Sequence, residues 1–105
     1  MSARIWFSPE ARAQAREAAI WWRDNRQKAP QLLARELKHY LQLLSDTPSL
    51  GRSFEHSDIP NLMRVLLPRT KYHIYYVHHV DRAEIEVVAF WGAVRGRTPL
   101  SWTRR

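Results

Sequence analysis

The stretch from residue 62 to residue 97 constrains this chain most. It holds three apolar runs, residues 62–67, 71–77 and 85–91, separated by Pro68-Arg69 and by Asp81-Arg82-Ala83. The runs are rich in β-branched and aromatic residues and are bounded by turn formers, so they read as three consecutive strands of a meander. Between Ile59 and Val80 there is no carboxylate, whereas Arg64, Arg69, Lys71 and three histidines fall there. A basic, aromatic sheet is the expected functional surface.

Upstream, Ala3, Ile5 and Phe7 alternate with Arg4 and Trp6, which makes a short first strand. Ser8-Pro9-Glu10 then opens a helix. The serine can cap it, the proline suits the first helical position, and the glutamate complements the positive helix end. This helix is expected to run to about Lys28, with Ala11, Ala15, Ala18 and Trp22 on one face. Arg12, Arg16, Arg23 and Arg26 lie largely outside that stripe, as a solvated face. Ala29-Pro30 breaks the pattern, because proline disfavours a helical residue before it. Pro30 starts a second helix to about Asp46, in which Leu33, Leu37, Tyr40, Leu41 and Leu44 recur at helical spacing. So short a break folds the helices back as an antiparallel pair, one face of which covers the sheet. The stretch from Thr47 to Pro60 reads as irregular loop, whose polarity accounts for Glu55, His56 and Asp58.

The expected fold class is therefore α+β, in the order β-α-α-β-β-β. A helical hairpin packs on one face of a small, mainly antiparallel four-stranded sheet, and residues 1–105 form a single domain. With no cysteine there is no disulfide and no thiolate metal site. No signal-like run and no stretch of the ~20 apolar residues of a membrane span is evident, so a cytoplasmic protein without membrane contact is expected. A net charge of +7 attracts polyanions: nucleic acid, ribosomes or an acidic protein.

Alternation assigns the faces of the sheet. On the middle strand Tyr72, Ile74, Tyr76 and Val80 should face the helices, with Lys71, His73, Tyr75, Val77 and His79 opposite. On the last strand Ile85, Val87, Ala89 and Trp91 share one side, and Glu84, Glu86, Val88 and Phe90 the other. The second face, with Val88, Phe90 and Trp6, is too apolar to stand bare in water and too polar to be a second core, and a partner surface is the natural inference. His73 and His79 lie roughly 20 Å apart at strand rise, and His78 points away from His79. They make no metal site, and no cofactor is expected.

One strand, a helical hairpin and a three-strand meander, in that order, resemble the RelE/ParE toxin superfamily of type II toxin–antitoxin systems. The likeness is carried by Ser8-Pro9-Glu10-Ala11, by Ala29-Pro30, and by Thr47-Pro48-Ser49-Leu50-Gly51-Arg52. Val65-Leu66-Leu67-Pro68 before Tyr72-His73-Ile74-Tyr75-Tyr76-Val77, and Val87-Val88-Ala89-Phe90-Trp91 leading into Gly92, complete it. The resemblance implies a protein that poisons its own cell unless a cognate acidic antitoxin holds it. An antitoxin segment is expected across the sheet and hairpin edges, on Trp21, Trp22, Tyr75 and Phe90.

The superfamily divides by mechanism. RelE-like members cleave mRNA in the ribosome, which takes convergent cations and an acid–base pair. Arg64, Lys71, His73, Tyr75 and Arg95 could supply part of that set, but no His or Tyr follows Arg95 to the end of the sequence. ParE-like members bind DNA gyrase and trap its cleaved-DNA complex without chemistry of their own. For that reading, which is the favoured one, Trp91, Arg95, Arg97 and Trp102 are the expected target contacts, in an acid-free tail. A non-toxic basic domain whose sheet aromatics stack on RNA is the further alternative.

Overall fold

The computed structural model describes residues 2–93. Strand β1 (Arg4–Phe7) leads into helix α1 (Pro9–Asn25), and helix α2 (Leu32–Asp46) follows. Strands β2 (Arg52–Ser53), β3 (Leu62–Leu67), β4 (Tyr72–His79) and β5 (Glu84–Gly92) come next. All five join one sheet in the order β1-β5-β4-β3-β2, with β1 parallel to β5 and every other pair antiparallel. The architecture is the expected α+β one, with five strands in place of four. The added strand, β2, falls in the stretch read as loop. Only Arg52 and Ser53 take part, opposite Arg64 and Met63, which is too short and too polar to show a strand period.

Helix α1 starts where its capping residues predict: the Ala11 N–H donates to Ser8 Oγ at 3.1 Å. It ends at Asn25, just short of the expected Lys28, where the Arg26 N–H donates to the Trp22 carbonyl at 2.8 Å. The Trp22 indole then spans the connection, donating to the Ala29 carbonyl at 3.0 Å. At the far end of the hairpin, Ser45 Oγ donates to the Ala3 carbonyl at 2.6 Å, and the Ala3 N–H to the Ser45 carbonyl at 2.9 Å. The end of α2 is thus fastened beside the residue that precedes β1, and the two helices run antiparallel. None of the helices among the described residues is long and apolar enough to cross a membrane.

The main core lies between the hairpin and the sheet. Ala11, Ala18 and Trp22 of α1 and Leu33 and Leu44 of α2 cover Leu67, Ile74, Tyr76, Ile85, Val87 and Phe90. Each large side chain buried there contributes about 1.5–3 kcal/mol. Tyr76 is fully buried, yet its hydroxyl is satisfied: it donates to the Pro48 carbonyl at 2.8 Å and accepts from the Gly51 N–H at 2.9 Å. A Cβ at Gly51 would stand 2.6 Å from that hydroxyl and 2.7 Å from the Arg64 carbonyl, so close approach dictates glycine here.

The other face differs from the bare partner surface expected of it. Phe54 and Ile59, in the segment between β2 and β3, pack over Leu62, Tyr75, Val77 and Val88 and make a second, smaller apolar cluster. Further assignments change, among them Lys71, which lines the helix side and not the face of His73 and Tyr75. Alternation along β5 holds to Val87 and then reverses, because Tyr76 pairs with Val87 but Tyr75 with Ala89. Val88 is the extra residue of a β-bulge. Beyond it Phe90 turns into the helix-side core, while Ala89 and Trp91 join the opposite cluster. Val80, expected on the helix side, opens a 3-10 turn instead and is 75% exposed.

The β3–β4 turn is held by an acid from α2. Glu36 is 7% exposed and its carboxylate accepts from the Arg69 N–H at 2.8 Å, the Thr70 N–H at 2.9 Å and the Thr70 hydroxyl at 2.7 Å. Peptide and hydroxyl donors thus offset the cost of burying it. Lys71 follows in the left-handed region at φ 64°.

Candidate functional site, a basic aromatic groove

Between the C-terminal half of α1 and the β3–β4 turn lies a groove of about 630 Å³. Trp21, Trp22 and Arg26 form one wall, Arg69 and Lys71 the other, with Tyr72 and Phe90 as floor. The floor rings stack on each other at 5.0 Å and 7°. The Arg26 guanidinium lies 4.9 Å from the Trp21 ring centroid and 5.5 Å from that of Trp22. Arg26, Arg69 and Lys71 are exposed, and none of them forms an ion pair among the described residues. Glu17 also lines the groove, against these three cations. The site is suited to holding an anionic partner with apolar side chains.

Three of the four expected antitoxin contacts, Trp21, Trp22 and Phe90, meet in this groove. The fourth does not. Tyr75 lies on the opposite face, 3% exposed, with its ring 5.5 Å from Phe54 and 5.6 Å from His73. The expected RelE-like set is also divided. Arg64 stands opposite Tyr75 in the β3–β4 register and its guanidinium covers the Phe54 ring at 4.6 Å. Burial, and then the Arg64 guanidinium, push the His73 imidazole below its usual 6.5. Lys71 takes no part in that cluster and lines the helix-side groove. Trp91 packs on the loop-covered face and reaches the mouth of the groove. Arg95, Arg97 and Trp102 lie outside the described residues.

Sequence reasoning missed two parts of this site. Glu36 follows Leu33 by three positions, so it sits on the apolar stripe of α2, and an acid there was the signal of a buried, satisfied carboxylate. Arg26, read as solvated face, instead stacks on the tryptophan pair.

The opposite end of the sheet carries a depression of about 560 Å³ whose lining includes His78, His79, Asp81 and Glu86. Asp58 and Asp81 of that lining enter no ion pair among the described residues, whereas the two glutamates at the start of β5 are paired. Glu84 accepts from Arg4 at 2.8 Å and from Arg82 at 3.1 Å, and His79 Nε2 lies 3.0 Å from Glu86 Oε1. Hydrogen bonds from Arg4 and then Arg82 hold the Glu84 carboxyl below its usual range.

The sequence matches no protein-family model and no curated protein. Among the solved structures that share its fold are three toxin–antitoxin proteins. The RelBE2 toxin–antitoxin complex from Mycobacterium tuberculosis contains a chain of TM-score 0.65 and 14% identity, the match covering 88% of this chain and 99% of that one. A chromosomal ParDE toxin–antitoxin system from P. aeruginosa gives 0.66 and 13%, over 87% and 96%. The isolated E. coli RelE toxin gives 0.65 and 14%, over 96% and 92%. This chain, built from a helical hairpin on a β1-β5-β4-β3-β2 sheet, has the RelE/ParE toxin fold.

Proposed function

We propose that this chain, acting as one domain, is the toxin of a type II toxin–antitoxin pair, silenced by a cognate acidic antitoxin. The groove supports that partnership, because its three cations, in no ion pair among the described residues, and its aromatic floor suit an acidic segment that orders on binding. Trp21, Trp22 and Phe90 are the proposed antitoxin contacts. Tyr75, buried on the other face, offers no contact surface.

For the toxic act we favour binding over chemistry: a ParE-like poisoning of DNA gyrase. The observation that carries this is the division of the cationic set, with Lys71 on the groove side and Arg64 and His73 on the other. Tyr75, at 3% exposure, cannot reach a substrate as a proton donor. Trp91, Arg95, Arg97 and Trp102 are the proposed target contacts, motivated by the absence of acids from Gly92 onward.

One observation favours a second reading, ribosome-dependent mRNA cleavage. Burial and the Arg64 guanidinium favour the uncharged form of the His73 imidazole, whose lone pair is then available to a proton near a phosphate. Tightly regulated expression separates the two. Growth arrest with DNA-damage induction, inhibited supercoiling by gyrase in vitro and intact transcripts is the expected result. Codon-associated cuts in ribosome-bound mRNA would overturn the gyrase reading. Absence of arrest, with tight RNA binding by the purified chain, would overturn the toxin reading as a whole.

A further inference from the structure

We infer, building on the antitoxin reading above, that the β3–β4 turn is the specificity wall of the groove. Arg69 and Lys71 select partner segments whose apolar anchor is flanked by carboxylates, and Glu36 is the positioning residue that aims both cations.

The argument starts from the turn. Glu36 is fully occupied by the Arg69 and Thr70 N–H groups and the Thr70 hydroxyl. The buried acid is therefore saturated by backbone and hydroxyl donors and forms no ion pair with either cation it positions. On the other side the turn is pinned to the end of β5, where the Ala93 N–H donates to the Lys71 carbonyl at 2.7 Å. Fixed from both sides, the turn sets in advance the backbone positions from which its two cations line the groove, and preorganisation of that kind turns charge into discrimination. A partner that covered Arg69 and Lys71 with neutral or basic groups would leave desolvated cations unpaired, which costs affinity.

The floor decides against a nucleic acid. Stacking on bases requires free ring faces. Phe90 is 1% exposed and lies against Tyr72, and the face of Trp21 is occupied by Arg26. The Trp22 indole nitrogen is committed to the Ala29 carbonyl. Trp21, 46% exposed, is the one exposed ring among the described residues lining the groove, and one of its faces carries Arg26, so the groove presents little ring face on which a base could stack.

The test uses the full chain and two labelled synthetic peptides with one Trp-Leu core, flanked either by Asp and Glu or by Lys. The acidic peptide should bind at least about tenfold more tightly at low salt, with an advantage that shrinks as salt is raised. Arg69→Ala combined with Lys71→Ala should abolish most of that preference while leaving the melting temperature intact. Glu36→Gln, which cannot accept all three bonds, should reduce the preference and its salt dependence with the aromatic circular dichroism unchanged. If that variant fails to fold, Thr70→Val, which removes one of the three bonds, gives the same readout. Equal affinity for the two peptides, an unchanged preference in the double variant, or displacement of the acidic peptide by single-stranded oligothymidine would each overturn the proposal. Failure here is distinguishable from failure of the antitoxin reading. A double variant that still arrests growth and is still neutralised with unaltered affinity by an acidic antitoxin sinks only the wall; a wild-type chain that arrests nothing sinks the toxin assignment.

Discussion

The two ends of the sheet handle charge in opposite ways. At the β4–β5 turn, Glu84 is shared by Arg4 and Arg82, and His79 meets Glu86. At the β3–β4 turn, Arg69 and Lys71 have no acid of their own among the described residues, and the nearby Glu36 spends its carboxylate on peptide N–H groups. The first end pairs its two glutamates internally, and those charges do architectural work. The second is built rigidly and left electrostatically incomplete, as expected of a surface whose counter-charge arrives on another molecule. A tally of net charge could not separate these ends, since both contribute arginines to it.

The comparison can be broken in several places. Phe90→Ala, which empties the floor of the basic end, should cost about 3–5 kcal/mol in a urea titration. A loss near zero would mean that the floor is not part of the core. Glu36→Ala strands two peptide N–H groups and a hydroxyl, and about 3 kcal/mol of lost stability is expected at neutral pH; a neutral result would show that the turn does not depend on its acid.

Acid titration probes both ends at once. The His73 and Glu84 groups are each depressed in the folded state, so the unfolded chain binds more protons and stability falls with pH in each case. The His73 contribution is complete above its usual 6.5 and is lost as pH drops toward the folded value. That of Glu84 is complete above 4.5 and is lost further down. His73→Gln should flatten the upper limb of the stability curve and Glu84→Gln the lower; interchange of the two effects would contradict the assignment. The smallest change belongs to the open cations. Arg69→Ala with Lys71→Ala should leave stability within about 0.5 kcal/mol of wild type, and a larger loss would show that these charges already have partners.

Much of the fold was legible because it is written in local patterns. The Ser8 cap, the break at Ala29-Pro30 and the leucine stripe of α2 each depend on neighbours in the chain, and each appears in the structure close to its expected place. What was not legible depends on pairing across the sheet. Nothing in Val87-Val88-Ala89-Phe90 announces an extra residue, because all four are apolar and suit either face. The bulge becomes visible only when β4 supplies the register. Strand β2 likewise exists through Arg64 and Met63, not through its own two residues. For the site, the aromatic members Trp21, Trp22 and Phe90 could be named in advance. The place of Tyr75 away from the helices followed from alternation, but the move of Phe90 to the helix side and of Lys71 away from Arg64 and His73 could not be read, since those changes follow from the same bulge and from a turn anchored by a helix far away in sequence.

The bulge at Val88 also bears on how this chain is aligned with its structural neighbours. An alignment that carries uninterrupted alternation through β5 will swap the sides of Ala89, Phe90 and Trp91, and will credit the core ring to the outer face. At 13–14% identity that slip of one position leaves almost no trace in the letters. Residue equivalences in the last strand should therefore be drawn by superposing backbones, with a gap admitted at Val88, before any role is transferred from a neighbour to this chain.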